Sequence, residues 1–327
     1  MASRWRPSTD SPTLLALICI ATLLPACTSR EETGSQTGTT GSGPLACAAA
    51  LAEAESLASR HDAFIVVDFW HPACGPCLRF HQAVEKNAEV RAALASLVLL
   101  QLDVESEEAA REASRCGVHE FPTYQLRNAR GELIDTWIGY HDPQWWLARL
   151  GDALADPVSM EERRGRFEEN PNVEDALALG KAAFTRQRCS EAIDYLRRAQ
   201  HLDPDAALAG DAPIFLFRAA YLGAGRGEME LASLGAIIEE LLCNPHAKPA
   251  SVVEVGTKLF EAIPYVGTEP VLPYLRLTRS VLPNQCEGEW EQKRQRFLVD
   301  YALIVEADTA KALALNPVSS HLQPQRQ

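Results

Sequence analysis

The chain has 327 residues, of which 46% are hydrophobic and 23% charged, and it carries a formal net charge of −13. This composition predicts a globular protein of two folded domains and excludes global disorder, a collagen-like chain and a small disulfide scaffold. The acidic balance argues against nucleic acid as a partner, because phosphate binding needs a basic surface. The nine cysteines are too few for a disulfide-dense scaffold, so their meaning depends on the compartment.

The start of the chain is typical of a secretory signal. Arg4 and Arg6 precede the apolar run Thr13–Leu24, which is too short to span a membrane, since a transmembrane helix needs about 20 residues. The run ends in Leu24-Pro25-Ala26-Cys27, which resembles the lipobox of bacterial lipoproteins. That resemblance implies that residues 1–26 are removed as a signal peptide and that Cys27 is lipidated. The alternatives are an ordinary signal peptide cleaved nearby and a buried first helix.

Lipidation of Cys27 would anchor the protein in a membrane of the bacterial cell envelope, facing the periplasm. The sequence does not distinguish the inner from the outer membrane. Residues 27–44 are polar, rich in Gly, Ser and Thr, and free of any hydrophobic period. They predict a flexible tether. A flexible chain of about 17 residues has a typical end-to-end distance of roughly 20 to 25 Å, which holds a domain just off the membrane.

Residues 45–155 alternate between strand and helix signals. In chain order, the hydrophobic patterns predict a helix over Ala46–Arg60, a strand over Phe64–Trp70, a helix from Cys74, a strand over Leu97–Asp103, a helix over Glu105–Arg115, strands over Phe121–Arg127 and Glu132–Gly139, and a helix from Pro143. The segment Asn128–Gly131 supplies turn chemistry, so the last two strands are expected to form a hairpin. Parallel crossovers followed by a hairpin predict a mixed sheet with helices on both faces.

Two motifs in this region carry a family resemblance. The sequence VDFWHPACGPC (Val67–Cys77), followed by GVHEFPT (Gly117–Thr123) and the hairpin, resembles thioredoxin. The spacer lengths and the stretch LLQLDVES also resemble the reductant-side periplasmic domain of membrane thiol-disulfide interchange proteins. The resemblance covers about a third of the chain and implies an α/β thioredoxin fold over residues 45–155. It also implies thiol:disulfide oxidoreductase activity with no bound cofactor.

Cys74 and Cys77 carry the chemistry. They are three residues apart, so on a helix they lie on one face. Cys74 falls at the first turn, where unpaired amides and the positive end of the helix dipole favour a thiolate. We expect Cys74 to attack a substrate disulfide and Cys77 to resolve the mixed disulfide, while Gly75 and Pro76 permit and stiffen the turn. A structural disulfide and a zinc half-site are the alternatives.

The resemblance assigns roles to four further residues. Asp68 lies in an apolar strand, where a carboxylate is costly unless it is paired or protonated. The resemblance implies that it lies beneath Cys77 and exchanges a proton as Cys77 reacts. It also implies that Pro122 follows a cis peptide bond and that Phe121, Pro122 and Thr123 bind an extended substrate. The alternatives are a strand-end carboxylate that reaches solvent and a plain proline at the start of a strand.

The motif departs from the thioredoxin pattern at several positions. Ala73 replaces a tryptophan, His71-Pro72 replaces a small and an acidic residue, and Gln101 stands where a lysine is common. His71 and His81 could tune the thiolate, but we interpret each as a solvated histidine. Glycine and proline between the cysteines resemble reductants more than oxidants, which favours reductase or isomerase action.

Residues 161–318 are helical by pattern. Small and apolar residues from Ala176 to Pro204 recur at spacings that resemble one tetratricopeptide repeat, which is a pair of antiparallel helices. Further prolines follow at intervals of 41, 38 and 34 residues, at Pro204, Pro245, Pro283 and Pro317. This regularity predicts an all-α domain of three or four helical hairpins stacked as a short solenoid, followed by a disordered tail over residues 319–327. The concave surface is expected to bind a peptide or protein partner, and a scaffold that only packs on the redox domain is the alternative.

Apart from Cys19 and Cys27 in the signal region and the pair Cys74 and Cys77, five cysteines remain: Cys47, Cys116, Cys189, Cys243 and Cys286. In an oxidising compartment some of them should pair, and Cys243 with Cys286 is one hypothesis. The odd count leaves at least one free thiol or an intermolecular bond. Cys116 could be a regulatory thiol, but we interpret it as a small buried hydrophobic residue.

The sequence therefore predicts a membrane-tethered thiol:disulfide oxidoreductase of the cell envelope with an appended helical-repeat domain. Its partners would be protein substrates with disulfides, an upstream electron donor, and the membrane through Cys27. The alternative, from another class, is an envelope scaffold whose repeats bind a client and whose thioredoxin-like domain is secondary.

Overall fold

The computed structural model describes residues 46–48 and 50–315. The lipobox with Cys27, the tether and residues 319–327 lie outside the described residues. The chain divides into two compact units, Met1–Glu162 and Arg163–Gln327, and each is described by itself. Across 46–48 and 50–315, no helix is both long enough and apolar enough to cross a membrane.

The first unit contains a five-stranded sheet flanked by helices. Its elements are β1 (Ala46–Ala48), α1 (Leu51–His61), β2 (Phe64–Trp70), α2 (Gly75–Lys86), α3 (Ala88–Leu94), β3 (Leu97–Asp103), α4 (Glu107–Cys116), β4 (Thr123–Arg127), β5 (Leu133–Ile138) and α5 (Pro143–Ala155). The strand order is β1-β3-β2-β4-β5. The pairs β1–β3 and β2–β3 are parallel, and the pairs β2–β4 and β4–β5 are antiparallel. The predicted mixed sheet with flanking helices is confirmed.

Strand β2 lies at the centre of this sheet and is covered on both faces. Val66 packs in a core with the α2 and α5 side chains Phe80 and Trp146, whereas Ile65 and Val67 pack in a second core with alanines of α1 and α4. This double burial is the reason that the strand is an almost continuous apolar run. Because side chains alternate along a strand, Asp68 lies on the same face as Val66, the face that α2 covers.

The α2-side core is built from aromatic rings. Phe80 of α2 contacts Tyr124 edge-on with ring centroids 4.8 Å apart, and it lies 4.9 Å from Trp146. Tyr124 stacks on Trp137 at 5.6 Å. Each such pair adds about 0.5–1.5 kcal/mol beyond its buried area. The cluster therefore fixes α2 and α5 against the hairpin strands and positions the residues at the start of α2.

Three element boundaries differ from the sequence expectation. The helix predicted over Ala46–Arg60 is split, because Ala46–Ala48 pairs with β3 as an edge strand and the helix begins only at Leu51. Helix α3 was not singled out in the sequence; the Asn87 side chain caps it by accepting from the backbone N–H groups of Glu89 and Val90. The strand predicted from Phe121 begins at Thr123.

The second unit is mostly helical. Helix α6 (Met160–Glu169) crosses the boundary between the units, and the helices that follow are α7 (Val173–Thr185), α8 (Cys189–Leu202), α9 (Pro204–Ala209), α10 (Ala212–Gly225), α11 (Leu231–Cys243), α12 (Pro249–Val266), α13 (Leu272–Val281), α14 (Glu289–Ile304) and α15 (Thr309–Leu315). The helices pack in consecutive pairs, α7 with α8, α10 with α11, α12 with α13 and α14 with α15. A helix-rich second half is confirmed, and the likeness to tetratricopeptide repeats stays a prediction.

Three helices of the second unit end just before a proline, as the sequence predicted. Helices α8, α11 and α13 each end two residues before Pro204, Pro245 and Pro283, where a helix cannot easily continue. Pro317 lies outside the described residues. Proline is not always a stop here, because Pro264 lies inside α12.

A buried carboxylate organises the start of the second unit. Asp175 is 0% exposed and accepts hydrogen bonds from Arg166, from Asn172 Nδ2 at 2.7 Å and from Arg163 Nη1 at 3.3 Å. Burial alone would raise the pKa of Asp175, but the hydrogen bonds from Arg166 and Asn172 and the charges of Arg166 and Arg163 outweigh it and lower the pKa below its usual range. The network ties α6 to α7.

One close helix contact in the second unit depends on a glycine. A Cβ atom on Gly180 of α7 would lie 2.8 Å from Leu196 Cγ of α8. We expect Gly180→Ala to lower the free energy of unfolding by about 1–3 kcal/mol, because the two helices would be overpacked. Gly165→Ala in α6 is the control, since no described atom beyond its own helical turn lies within 4 Å of the position that its Cβ would take. That change should be neutral or stabilising by up to about 1 kcal/mol. Urea unfolding of the full chain, followed by circular dichroism, measures the free energy of unfolding of both variants. Equal changes in Gly180→Ala and Gly165→Ala would show that the close approach of Gly180 to Leu196 does not limit the side chain at this position.

The Asp175 network makes a pH-dependent prediction. Because the folded state lowers the pKa of Asp175, the carboxylate stabilises the fold above its unfolded pKa of about 4, and this contribution is lost as the pH falls through the folded pKa. Asp175→Asn should lower the free energy of unfolding by about 3 kcal/mol at pH 7. The difference from the natural chain should shrink below about pH 4.

Urea unfolding at pH 7 and below about pH 4 tests this expectation. The matched control is Asp194→Asn, which removes a carboxylate that is 67% exposed and 3.8 Å from Arg198. That change should stay within about 0.5 kcal/mol at either pH. If Asp175→Asn lowers the free energy of unfolding equally at both pH values, ionisation of the carboxylate does not contribute to stability.

Candidate active site

The two motif cysteines form a disulfide at the start of α2. Cys74 is the N-cap residue, and its Sγ accepts a hydrogen bond from the backbone N–H of Cys77 at 3.2 Å. The Cα atoms of Cys74 and Cys77 are 5.3 Å apart. Pro76 lies in the first turn, where its missing N–H costs nothing and its fixed φ suits the helix.

The two sulfurs of this disulfide differ in exposure. Cys77 is 0% exposed, whereas Cys74 is half-buried. An attacking thiol from another molecule can therefore approach Cys74 but not Cys77. When the pair is reduced, a Cys74 thiolate would lie at the positive end of the α2 dipole, and the Cys77 N–H that contacts Sγ in the disulfide is positioned to stabilise it.

The second motif has its own fixed geometry. The Phe121–Pro122 peptide bond is cis, in agreement with the family resemblance. The carbonyl of Pro122 accepts from the Gly139 N–H at 2.8 Å, and Thr123 Oγ1 donates to the Glu120 carbonyl at 2.7 Å. These bonds hold the loop at the start of β4. The substrate-binding role of Phe121, Pro122 and Thr123 stays a prediction.

His71 joins the two motifs. Its ring stacks on Phe121 with centroids 6.3 Å apart and an interplanar angle of 26°. Its Nδ1 accepts from the Ala73 N–H at 3.0 Å, which shapes the turn that leads into Cys74. Nε2 lies 3.6 Å from Glu105 Oε1. The side chain of His71 is 38% exposed, as expected for a solvated histidine, and these neighbours orient its ring.

Asp68 is a fully buried carboxylate beneath α2. It is 0% exposed, and its Oδ2 accepts from Gln101 Nε2 of β3 at 3.2 Å and lies 2.9 Å from His81 Nε2 of α2. Its Oδ1 has no hydrogen-bond partner among the described residues. The alternative of a carboxylate that reaches solvent is excluded by this burial. The proton-transfer role of Asp68 stays a prediction.

His81 is the site residue that sequence reasoning misjudged. Its side chain is only 22% exposed, and its ring contacts Trp70 edge-on with centroids 4.5 Å apart. The interpretation as a solvated histidine was wrong, because the ring covers Asp68. One signal in the sequence could have found it: His81 follows Cys77 by four residues, so the two side chains share a helix face.

Tyr124 completes the surroundings of Asp68. It is the β4 residue that pairs with Asp68 in the sheet register, and its hydroxyl is buried with no hydrogen-bond partner in the described part of the chain. Burial and, secondarily, the charge of Asp68 raise the pKa of Tyr124 far above its usual range. The phenol is therefore neutral at physiological pH and serves as packing.

The remaining described cysteine side chains are free thiols: Cys116, Cys189, Cys243 and Cys286. The hypothesis of a Cys243–Cys286 disulfide was wrong. Cys243 is the last residue of α11, whereas Cys286 lies in the α13–α14 loop, where its backbone N–H donates to Glu291. The side chain of Cys47 lies outside the described part of the structure.

Cys116 is buried, but in a polar cluster rather than a purely apolar one. Its Sγ accepts from Arg127 Nη2 at 2.9 Å and donates to Glu112 Oε1 at 3.2 Å. Burial raises the pKa of the Cys116 thiol, and the Arg127 charge only partly offsets it. Burial therefore favours the protonated thiol over the thiolate. No group of three or more His, Cys, Asp or Glu side chains within 46–48 and 50–315 is arranged to hold a metal ion.

Comparison with known proteins identifies the first unit. A family model described as a thioredoxin-like domain matches residues 51–154. Thioredoxin from Alicyclobacillus acidocaldarius is 31% identical over 90 residues, which cover 28% of this chain and 81% of that protein. Protein disulfide-isomerase from Datisca glomerata is 34% identical over 85 residues, but the match spans only 17% of that protein and 26% of this chain.

Among solved structures, thioredoxin from Malassezia sympodialis is similar, with 25% sequence identity and a TM-score of 0.28, over 34% of this chain and 93% of that chain. The match to the Alicyclobacillus thioredoxin includes most of that protein, and the residues that the family model matches include the Cys74–Cys77 disulfide and the cis proline. Through residues 51–154, this chain belongs to the thioredoxin family.

Proposed function

We propose that this protein is a membrane-tethered thiol:disulfide oxidoreductase of the bacterial cell envelope, which reduces or isomerises protein disulfides by dithiol exchange at Cys74 and Cys77. One observation carries the proposal. The two cysteines form a disulfide at a helix N-terminus, with the Cys74 side accessible and the Cys77 side buried. A purely structural disulfide needs neither the helix N-terminus nor this asymmetry.

The reaction would proceed in two exchanges. The Cys74 thiolate attacks one sulfur of the substrate disulfide, and the other substrate sulfur leaves as a thiolate. Cys77 then loses its proton to Asp68 and attacks Cys74 Sγ, which forms the Cys74–Cys77 disulfide and releases the first substrate sulfur. The unpartnered Asp68 Oδ1 supports this role, because it is free to receive a proton.

The residues between the cysteines favour one direction of electron flow. Gly75 and Pro76 bring no charge and no imidazole to the site, which supports a reductant or isomerase rather than a strong oxidant. A reductant donates two electrons to each substrate disulfide and is left oxidised. An upstream electron donor in the envelope would therefore be a required partner, together with the disulfide-bonded protein substrates.

The location and the second unit belong to the same proposal. The Leu24–Cys27 lipobox and the polar tether up to residue 44 support a lipid anchor on Cys27 and an exposed, periplasm-facing redox unit. The helical unit would bind a peptide or protein partner, which would bring clients to a site that is otherwise unselective. The scaffold alternative is decided by the first experiment below.

The reduction potential of Cys74 and Cys77 tests the proposal directly. We expect the full chain to equilibrate with thiol buffers as a two-electron couple near the thioredoxin value of about −270 mV. The couple should vanish in Cys74→Ser, and only chains that keep Cys74 should reduce insulin disulfides. Cys243→Ser, which removes an exposed free thiol, is the control and should change neither readout.

Two other results would revise the proposal. A potential near about −120 mV would mean that the protein is an oxidant. The absence of any couple that depends on Cys74 would rule out the enzyme and leave the helical unit as the functional half.

Phe121 makes a separate prediction about substrate binding. Its ring stacks on His71 beside the cis bond, so Phe121→Ala should remove apolar contact with a peptide that lies along this loop. We expect the reduction rate for a disulfide-bonded peptide to fall about tenfold, which corresponds to roughly 1.4 kcal/mol. The rate for oxidised glutathione, which is too small to reach across the loop, should change less than about twofold.

Tyr265→Ala is the control for Phe121→Ala, because it removes an aromatic ring that is 68% exposed in the second unit. It should leave both rates unchanged. If Phe121→Ala lowers the reduction rates of the peptide and of oxidised glutathione equally, Phe121 affects the Cys74–Cys77 pair rather than the binding of the peptide.

A further inference from the structure

We propose that His81 is a positioning residue for the thiol–disulfide exchange. It holds Asp68 by Oδ2, leaves Oδ1 as the atom that exchanges a proton with Cys77, and links the charge of the carboxylate to solvent. The inference rests on the proposed dithiol function and adds a residue that this function does not by itself require.

The two oxygens of Asp68 have different surroundings. Oδ2 lies 2.9 Å from His81 Nε2 and 3.2 Å from Gln101 Nε2, so it is occupied from α2 and from β3. Oδ1 is buried with no partner among the described residues. A buried carboxylate oxygen without a donor is energetically costly, which favours protonation at that atom. The bonds to Oδ2 therefore determine which oxygen can take a proton.

Cys77 and His81 reach the same side of Asp68. They are four residues apart on α2, so their Cβ atoms are about 5–6 Å apart on one helix face. Cys77 is fully buried and Phe80 of the same helix packs in the core on the Val66 face of β2. Since Asp68 shares the face of Val66 and contacts His81, the helix face that carries both the thiol and the imidazole is the one that covers the carboxylate.

The groups around the imidazole divide into those with a fixed charge state and those that titrate. Gln101 on β3 carries no charge, and burial keeps the Tyr124 phenol on β4 neutral by raising its pKa. Asp68 on β2 and Cys77 and Glu85 on α2 are the titratable neighbours. The Trp70 ring holds the imidazole edge-on at 4.5 Å, and 22% of the His81 side chain is exposed.

This arrangement allows a balanced resolving step. As Cys77 attacks Cys74 Sγ, its S–H proton passes to Asp68 Oδ1, the Cys74–Cys77 bond forms, and the substrate sulfur leaves with the electron pair of the broken bond. The carboxyl is then neutral, and the partly exposed His81 is the neighbour that connects it to solvent. Reduction of the disulfide by the electron donor reverses the transfer, and Cys77 regains the proton from Oδ1.

A single-turnover experiment on the full chain isolates this step. The reduced protein is mixed with a disulfide-bonded peptide and quenched with acid at successive times, and mass spectrometry counts the mixed disulfide on Cys74. In His81→Ala, we expect the mixed disulfide to persist about tenfold longer at pH 7. The pH profile of its decay should move up by about one pH unit, because the ionised carboxylate loses a hydrogen-bond donor. Formation of the mixed disulfide by Cys74 should change less than about threefold.

A conservative variant separates position from charge. His81→Gln can still donate to Oδ2, so it should restore most of the decay rate at pH 7, but it should remove part of the pH dependence between about pH 5 and 8. In an Asp68→Asn background, His81→Ala should have no further effect on the decay. His61→Gln, which changes an exposed histidine at the end of α1 before β2, is the matched control and should behave as the natural chain.

The outcomes distinguish this inference from the proposed function. If no mixed disulfide forms on Cys74 of the natural chain, the dithiol function fails and the inference fails with it. If Cys74 reacts but both His81 variants keep the natural lifetime and pH profile, only the inference about His81 is overturned. It is also overturned if both variants slow formation and decay equally with no change in the pH profile, since that pattern indicates a structural role.

Discussion

The first unit depends on the burial of one ionisable group, Asp68, in the central strand of its sheet. An ionised carboxylate away from water costs several kcal/mol unless hydrogen bonds compensate it. The compensation comes from two directions, with Gln101 on the neighbouring strand and His81 on the covering helix. Because these side chains must reach the same oxygen, the register of β2 with β3 and the rotation of α2 about its axis are both restricted. The same restriction orients the face of α2 that carries both His81 and the buried Cys77, so the packing and the site are determined together.

Much of the fold could be predicted because local signals and tertiary packing agree. The apolar runs of β2 and β3 mark strands buried on both faces, and the order of parallel crossovers and hairpin follows from the chain. The edge strand Ala46–Ala48 could not be predicted, because its alanines favour a helix and only pairing with β3 makes it a strand. In the helical half, the ends two residues before Pro204, Pro245 and Pro283 follow from the backbone of proline. Whether the helix pairs form tetratricopeptide repeats depends on contacts between helices, which the spacing of prolines does not determine.

The site divides in a similar way. The cysteine pair and the cis bond at Pro122 follow from motifs that are short and contiguous in sequence. The partners of Asp68 do not, because Gln101 is thirty-three positions away in sequence and a histidine on a helix is usually solvated. The stacking of His71 on Phe121 was not predicted for the same reason, since Phe121 comes from a distant loop. Local sequence patterns therefore do not identify residues whose roles depend on contacts across the sheet or between sheet and helix. The four-residue spacing of Cys77 and His81 is the exception, because it places both side chains on one helix face.

Two buried carboxylates in this chain show how partners decide whether a charge can change. Asp175 is held by two arginines, which stay protonated at every physiological pH, and its pKa is lowered; it is an ion with a structural role. Asp68 is equally buried, yet no permanent cation contacts it in the described structure, because its partners are an amide and an imidazole, and one oxygen has no donor. Gln101 places an uncharged amide beside Asp68, at a position where a lysine is common in thioredoxins. With glutamine there, the nearest group that can compensate the charge is His81, which can itself gain or lose a proton. Burial alone therefore does not make a carboxylate reactive; reactivity requires burial among partners that can follow its change of charge.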